Sequence, residues 1–479
     1  MGYRYHLTTL LLAGACTSST EAPRAPPVLS ALAISANPLN ALSAVVTFQA
    51  SNADSARVLY WSSGREPVRA TPFQPVPSGD GRVVILGLAP ATTYSLAIEA
   101  KGAATVQSAS LDVAPVALPT ALQGVHLDVS VPATSPSYTL VVPEFLGSGN
   151  DGFVLVFDET GTLRWYRVFV GEGFAVEAKQ LPNGDFTTYL GHSYGFQPTA
   201  GRYVQFRPSG EVVRGFAVSA PFYTDPHEML LSFRDSTIEA VHLLGYRIQP
   251  MDLTLWNGPP NASIAVHVLE RQNAAGTQEF LWNAGDQFSP ADWRGGYNAQ
   301  EPDLDHPSSL DMDADGNYVV SFQAVDEIDK IDAHTGRTIW RFGGTHSQFT
   351  IESDPRGGFT GQHSVRVLAN GDLLFLDNHA RTLPLAARAV EYSIDTTTKS
   401  ARLVWQYEPA LPVANPVMGS VQRLASGNTL VGFAAIGRAD EVDATGRVVW
   451  QATLRDSTGA PIQFYRALRI ASLYTYMRP

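Results

Sequence analysis

Three histidines open similar segments in three successive repeats of this chain. They are His227 in TDPHEML, His306 in LDHPSSL and His363 in GQHSVRVLANGDLLFLD. An imidazole that attacks an electrophile, with two others stabilising the anion in transfer, would suit sulfuryl or phosphoryl transfer. Three neutral imidazoles would equally suit a divalent metal with open positions. Spacings of 79 and 57 residues match no short metal-binding motif, so both possibilities stay open at this point.

The elements that carry these histidines are β-hairpins. Inner hairpin signals such as KQLPNGDFTTYLG and RVLANGDLLFLDN alternate with outer hairpins that end in tryptophan, such as IDKIDAHTGRTIWRF. The turn glycines supply the positive φ that tight hairpins require. Six outer hairpins, about sixty residues apart, predict an all-β six-bladed β-propeller over residues 120–479. The last strand, in IQFYRALRIASLY, is expected to pair with the first blade and close the ring.

Blade topology predicts where the histidines lie. The innermost strand of each blade lines the central channel, so a residue at its start lies at one rim. A hairpin returns the chain to that rim, which places Gln323 near His306 and Asn378 near His363. The three histidines are therefore expected to share one site. The recurring tryptophans are expected to pack between blades.

Composition excludes some classes of partner. The chain has 479 residues, 44% of them hydrophobic, and a net charge of −12. An acidic protein of this kind is not expected to bind nucleic acid or anionic lipid headgroups. No apolar run long enough to span a bilayer follows the N-terminus.

The N-terminus predicts export. Residues 1–16 have a basic start, a short apolar core and small residues before Cys16, the only cysteine. This layout resembles a bacterial lipoprotein signal, with Cys16 as the lipidated residue. The expected location is periplasmic or on the outer membrane or cell surface, with membrane contact only through the lipid. Residues 17–27 read as a linker.

Residues 28–116 predict a small β-sandwich. Short alternating strands are separated by Pro, Gly and Asn, and the stretch VVILGLAPATTYSLAIEA resembles a fibronectin type III domain of the immunoglobulin-like class. Tyr94 and Trp61 are expected in its core. No catalytic role is assigned to this domain.

The propeller segments resemble the bacterial arylsulfotransferase family. The resemblance rests on DHPSSLDMDADGNYVVSFQAVDEIDKIDAHTGRTIWRFGG and on GQHSVRVLANGDLLFLDN followed by RAVEYSID. It implies transfer of a sulfuryl group from a phenolic sulfate ester to a phenol, without a nucleotide sulfate donor, cofactor or metal. It also implies His363 as the sulfurylated nucleophile in a ping-pong cycle. His306 and His227 are implied to bind the sulfuryl oxygens or to shuttle the phenol proton.

Two positions depart from the family pattern. The asparagine two residues after His306 is Ser308, and the arginine expected near the end of that hairpin is Gln323. A neutral amide is a weaker ligand for an anionic group than a guanidinium. The expected substrate-binding residues are Ser308, Gln323, Asn378, Arg381 and Arg466. Two alternatives remain: a metal-dependent propeller lyase or hydrolase using the same three histidines, and a non-catalytic ligand-binding propeller.

Overall fold

The protein is an all-β molecule. The computed structural model describes residues 24–62, 68–144, 146, 149–192, 201–294 and 303–474. Within these ranges there are 35 strands and six short 3-10 helices, but no α-helix. None of the described helices is long and apolar enough to cross a membrane. The all-β class predicted from the sequence is confirmed. Cys16 and the predicted signal segment lie outside the described residues, and lipidation stays a prediction.

The first nine strands form two antiparallel sheets. One has the order β1-β2-β6, and the other has the order β4-β3-β7-β8, with β5 paired to β3 and β9 paired to β7. The strands are β1 (Val28–Ala36), β2 (Ser43–Ser51), β3 (Ala53–Ser62), β4 (Arg69–Ala70), β5 (Gln74–Pro75), β6 (Asp80–Leu86), β7 (Tyr94–Gly102), β8 (Thr105–Gln107) and β9 (Leu111–Val113).

A single apolar core lies between these two sheets. Tyr94 is buried there as expected, and its hydroxyl accepts a hydrogen bond from the Ala89 amide at 3.1 Å. The expectation for Trp61 was wrong, because this residue is only half-buried. Its neighbour Tyr60 is in the core instead. Successive side chains of a strand point to opposite faces, so only one of the two adjacent rings can face inward.

Three antiparallel sheets follow along the chain. The first is formed by β11 (Tyr138–Pro143), β12 (Gly152–Asp158) and β13 (Leu163–Phe169). The second is formed by β14 (Phe174–Gln180), β15 (Phe186–Gly191), β16 (Arg202–Phe206) and β17 (Val212–Phe216). The third is formed by β18 (Tyr223–Arg234), β19 (Thr237–Met251), β20 (Ala262–Asn273) and β21 (Gln278–Asn283).

Three further sheets complete this part. The fourth has β22 (Pro307–Met312), β23 (Tyr318–Phe322), β24 (Glu327–Ile331) and β25 (Thr338–Gly343). The fifth has β27 (His363–Val367), β28 (Leu373–Asp377), β29 (Arg388–Asp395) and β30 (Ser400–Tyr407), with β26 (Thr350–Glu352) parallel to β30. The sixth has β31 (Ser420–Arg423), β32 (Thr429–Phe433), β33 (Arg438–Val442) and β34 (Val448–Arg455).

Two further strands, one before and one after these six sheets in the sequence, join them. Strand β35 (Phe464–Ile470) pairs with β11 as the innermost strand of the first sheet, as the sequence predicted. Strand β10 (His126–Val131) pairs with β34 at the outer edge of the sixth sheet. The innermost strands β35, β14, β18, β22, β27 and β31 contact one another in a closed cycle. The innermost strand of each sheet therefore contacts the innermost strands of two neighbouring sheets.

The outer tryptophans link adjacent sheets. The indole of Trp165 donates to the carbonyl of Pro208 in the second sheet, and that of Trp405 donates to Ala444 in the sixth. The indole of Trp450, in the sixth sheet, donates to Glu159 in the first. Trp165 and Trp450 are buried, whereas Trp405 is partly exposed. An indole that packs on the next sheet and also satisfies a turn carbonyl stabilises the contact between sheets.

The 3-10 helices are single turns in the connections. They span Thr120–Leu122, Thr254–Trp256, Ala284–Asp286, Pro290–Asp292, Gln323–Val325 and Ala434–Ile436. The turn glycines Gly184, Gly316 and Gly371 have φ between +80° and +87°, the conformation that the hairpin signals predicted.

Candidate active site

His363 is the first residue of β27, and neighbouring groups fix its ring. Nδ1 donates to the carbonyl of Gly361 at 2.9 Å and to Oδ1 of Asn378 at 3.0 Å. The Asn378 amide donates to the carbonyls of Asn415 and Met418, which directs its oxygen toward the histidine. Since Nδ1 carries the proton, Nε2 is the nucleophilic nitrogen. Nε2 accepts a hydrogen bond from the Met418 amide at 3.1 Å.

His363 is uncharged at neutral pH. Burial is the main cause, and the neighbouring His306 and His227 add to it, so that the pKa of His363 falls to about 3. Only 4% of the residue is exposed. A positive charge on His363 would be repelled by these two rings, which contact each other.

His227 and His306 are each held by an aspartate from their own segment. Oδ1 of Asp225 accepts from the backbone amide of His227 at 2.9 Å and from its Nδ1 at 2.8 Å. Asp303 accepts from the backbone amide of His306 at 3.1 Å and also bonds its Nδ1. The two rings contact each other edge to face, with centroids 4.5 Å apart. In both rings Nε2 therefore points away from the supporting carboxylate.

His227 and His306 differ in protonation. Burial lowers the pKa of His227, and the Asp225 carboxylate only partly offsets this. Burial also disfavours charge on His306, but Asp303 outweighs it and raises the pKa of His306. His306 therefore holds a proton more tightly than His227 does. Such a pair provides a proton acceptor and a proton donor at one place.

His306 adopts an unusual backbone conformation. Its φ is +42°, in the left-handed region that residues other than glycine rarely occupy. The carbonyl of His306 accepts from the Gln323 amide at 2.9 Å, so the two ends of the β22–β23 hairpin meet as expected. Strain of this kind is maintained only where surrounding contacts require it.

A fourth histidine, which the sequence did not identify, lies behind this pair. His267 is in the middle of β20 and is 1% exposed. Its Nδ1 hydrogen bonds to Oδ1 of Asp305 and lies 3.6 Å from Oδ1 of Asp303, while its Nε2 lies 3.4 Å from Oδ2 of Asp225. Asp305 therefore bonds the ring of His267, although it directly precedes His306 in the sequence. The ring of His306 is bonded by Asp303 instead. The only sequence signal was a histidine inside the apolar run SIAVHVLE.

His267, Asp303 and Asp305 form the only group of possible metal ligands found among the described residues. One donor atom from each lies within 4.8 Å of the others. However, Nδ1 of His267 is already engaged by the Asp305 carboxylate in a hydrogen bond. A proton in that bond occupies the lone pair that a metal would need. The arrangement is therefore that of a hydrogen-bonded imidazole between carboxylates.

Charged side chains form the floor beneath the histidines. Glu228, on β18, accepts from Lys179 on β14, from Arg366 on β27 at 2.8 Å and from Arg466 on β35 at 2.7 Å. One carboxylate therefore joins four of the innermost strands. Lys179 and Arg366 line a cavity of about 470 Å³ at the other end of these strands, away from the histidines.

The predicted substrate-binding residues do not all reach the rim. Ser308 is fully buried, and its hydroxyl donates to the carbonyl of Gln362 and accepts from the Ser321 hydroxyl. Arg466 is 3% exposed and donates to Glu228 and to the Ser308 carbonyl. Both residues therefore lie below the histidines and position the strands that carry them.

Arg381 lies beside Gln323 at the rim. Its Nη2 donates to the Gln323 carbonyl at 2.7 Å, and its Nε donates to both oxygens of Asp326. The guanidinium is about a quarter exposed. Asn378, as described above, contacts the ring of His363. Gln323, Asn378 and Arg381 are thus near the histidines, whereas Ser308 and Arg466 support them from below.

Family comparison agrees with the resemblance seen in the sequence. Residues 267–455, which include His267, His306 and His363, match the family model described as Arylsulfotransferase (ASST). The arylsulfotransferase resemblance is confirmed over this segment. The matched segment covers less than half of the chain and begins after His227. It contains both strands whose starts carry the arylsulfotransferase motifs.

Comparison with solved structures and with curated proteins does not assign a function. A protein of unknown function from Bacteroides caccae is 14% identical, with a TM-score of 0.43, and covers 71% of this chain and 100% of its own. Virginiamycin B lyase from Staphylococcus aureus is 8% identical, with a TM-score of 0.32, and covers 68% and 84%. Both similarities are too weak to support an assignment. No curated protein matches the chain.

Proposed function

We propose that the protein is an aryl-sulfate sulfotransferase whose six central sheets are the blades of a β-propeller, preceded by a fibronectin type III-like domain. The single observation that carries the proposal is that His306 and His363 lie at the starts of β22 and β27 while the ring of His227, within β18, contacts the ring of His306. The closed cycle of those strands supports the propeller assignment. The family match over residues 267–455 supports phenolic sulfates and phenols as substrates.

In the first half-reaction, Nε2 of His363 attacks the sulfur of an aryl sulfate. A nitrogen–sulfur bond forms and the sulfur–oxygen bond to the phenol breaks. The charged His306 gives its proton to the departing phenolate. His363 suits the nucleophile's role because it is uncharged and its Nδ1 proton is held by Asn378 and Gly361.

In the second half-reaction, an acceptor phenol replaces the first product. Neutral His306 takes the phenol proton, the phenol oxygen attacks sulfur, and the nitrogen–sulfur bond breaks. His363 and His306 thereby return to their starting states. His227 stays neutral beside His306, because two adjacent imidazolium rings would repel each other.

The imidazolium of His306 replaces the guanidinium that Gln323 lacks. A charged donor contributes about 1.5–3 kcal/mol to a hydrogen bond with an anion, more than a neutral amide does. Arg381 lies next to the Gln323 carbonyl, but its guanidinium is paired with Asp326. The proposal therefore relies on His306 as the cation beside the sulfuryl group.

The direct test uses a chromogenic aryl sulfate with a phenol acceptor. We expect transfer by the wild type and a loss on the order of 10⁴- to 10⁶-fold in His363→Ala, as for other removed nucleophiles. His334→Ala is the matched control, because His334 is exposed in an outer turn. Rapid quenching with donor alone should leave a sulfuryl group on His363, detectable by peptide mass spectrometry.

Other outcomes separate the alternatives. Activity that disappears with a chelator would indicate a metal-dependent lyase or hydrolase. The three histidines do not form a close group of donor atoms among the described residues, so a chelator control is part of the assay. No transfer with a panel of aryl sulfates, and no label on His363, would refute the proposal and favour a ligand-binding protein.

A further inference from the structure

Two of the histidines at the rim are linked through a third that is buried. Asp225 bonds His227 through Oδ1 and faces Nε2 of His267 through Oδ2. On the other side, Asp303 bonds His306 through Oδ2 and faces Nδ1 of His267 through Oδ1. The result is a continuous alternation of imidazole and carboxylate groups from one rim histidine to the other.

The local fold delivers these groups to His267 from two directions. Asp303 forms a parallel bridge with Ala265, two residues before His267 on β20. The chain then continues past the histidine, so that Asp305 bonds both its ring and, weakly, its backbone amide. Asp225 approaches from β18, on the opposite side of the ring.

We propose that His267 is a positioning residue, an imidazolium that bonds Asp305 and lies between Asp225 and Asp303, and that it fixes the carboxylates holding His227 and His306. A role of His267 in catalysis rests on the proposed sulfotransferase function. The connection from His227 through His267 to His306 is a property of the folded protein and does not depend on that function. His267 does not touch the reacting atoms.

Charge balance explains why a histidine is needed there. Asp225 and Asp305 are buried, and Asp303 is largely buried. Buried carboxylates are costly unless they are paired with a positive charge. Burial disfavours a charged ring, but Asp305 and Asp303 outweigh it and raise the pKa of His267 well above its usual value.

Loss of His267 would raise the pKa of both His227 and His306. Its positive charge lowers the pKa of His227 and of His306. The other groups that face this network are the carboxylates described above, the imidazole of His363 and the phenols of Tyr189, Tyr203, Tyr246 and Tyr465. None of them can replace a buried cation, because a phenol is neutral near pH 7 and His363 is uncharged.

The test is an NMR titration of histidine side chains in the full-length protein. In His267→Gln, we expect the proton affinity of His227 and His306 to rise by about tenfold or more, equivalent to one pKa unit. His242→Gln is the matched control, because His242 is also a buried histidine in the third sheet. It bonds Ser232 and Tyr318 and has no carboxylate partner. It should leave both titrations unchanged.

A second variant covers the case in which His267→Gln does not fold. The double variant His267→Gln/Asp305→Asn removes one positive and one negative charge together, and His227 should still shift because its link through Asp225 is lost. In the transfer assay, kcat should fall roughly 10- to 100-fold with KM nearly constant, as expected for a misplaced acid–base group.

Two results would overturn the proposal. The first is unchanged titration of His227 and His306 in folded His267→Gln. The second is a stoichiometric divalent metal in purified wild-type protein that is lost in this variant, which would make His267 a ligand. Absence of turnover in the wild type would instead refute the sulfotransferase function and leave the titration result standing.

Discussion

At the scale of single residues, burial decides which charges this molecule tolerates. Glu177 lies at the floor of the site, next to Lys179 at 3.1 Å and Arg466 at 3.6 Å. Burial, only partly opposed by Lys179, raises the pKa of Glu177 to about 7. The neighbouring Glu228 has its pKa lowered despite burial, because Arg366 and Arg466 hold it ionised. Glu228 therefore ionises more readily than the adjacent Glu177, because Arg366 and Arg466 compensate the charge of Glu228.

This difference predicts a pH-dependent effect of Glu177→Gln. A carboxyl whose pKa is raised by folding binds its proton more tightly in the folded state. Its ionisation therefore destabilises the protein as the pH rises from about 4.5 to 7. Glutamine resembles the neutral acid. We expect the variant to match the wild type at pH 5 and to be more stable at pH 8, by about 1–3 kcal/mol.

Urea unfolding at both pH values measures the effect of Glu177→Gln. Glu239→Gln is the control, because Glu239 is nearly half exposed and pairs with an exposed arginine, so its effect should stay below about 0.5 kcal/mol. A variant whose stability follows the wild type in parallel from pH 5 to pH 8 would show that Glu177 is already ionised in the folded protein.

At the scale of elements, the strand starts at His306 and His363 could be predicted, but the position of His227 inside β18 and the groups behind these histidines could not. His227, His306 and His363 were found because hairpin signals repeat and a hairpin returns to its own rim. His267 was missed because it lies inside a strand, where alternation predicts only a buried position. Asp303 was missed because its partner is set by the path of the connection before β22, which has no repeat. Tertiary pairing, not local pattern, brings these groups together.

The turn that covers His363 could not be predicted from the sequence either. The Met418 amide donates to Nε2, so this turn must move before Nε2 can attack sulfur. Asn415 holds the turn: its Nδ2 donates to the carbonyls of Val417 and Met418, and its Oδ1 accepts from the Ala435 amide. No sequence signal pointed to this contact, because it joins the fifth and sixth sheets.

Asn415→Ala should therefore expose Nε2 of His363. Removing these hydrogen bonds costs about 1–3 kcal/mol, and each 1.4 kcal/mol changes the population of the open turn tenfold. We expect carbethoxylation of His363 by diethyl pyrocarbonate to be roughly tenfold faster. Asn428→Ala is the control, because the side chain of Asn428 donates to Glu441 in an outer turn of the sixth sheet. Equal rates in both variants would show that the turn does not limit access.

At the scale of the whole molecule, the last described strand closes the ring of sheets, and β10, which follows the first two sheets, extends it. β10 adds to the outer edge of the sixth sheet, and β35 supplies the innermost strand of the first. β35 also buries Phe464, Tyr465 and Ala467 and brings Arg466 to Glu228. Closure is therefore coupled to the floor of the active site. A ring completed by a terminal strand should fold as one cooperative unit.

Truncation tests this coupling. Deleting residues 463–479 removes β35, leaves the edge of β11 unpaired and removes one cation from Glu228. Removing one large buried side chain lowers the free energy of unfolding by about 3–5 kcal/mol. Removing several lowers it by an amount comparable to the whole free energy of unfolding of a typical domain, about 5–15 kcal/mol. We expect no cooperative thermal transition. Deleting only residues 475–479 should retain one, because it leaves β35 and the bond between the Tyr474 hydroxyl and the Leu86 amide intact. A cooperative transition in the longer deletion would show that the remaining sheets are stable without closure.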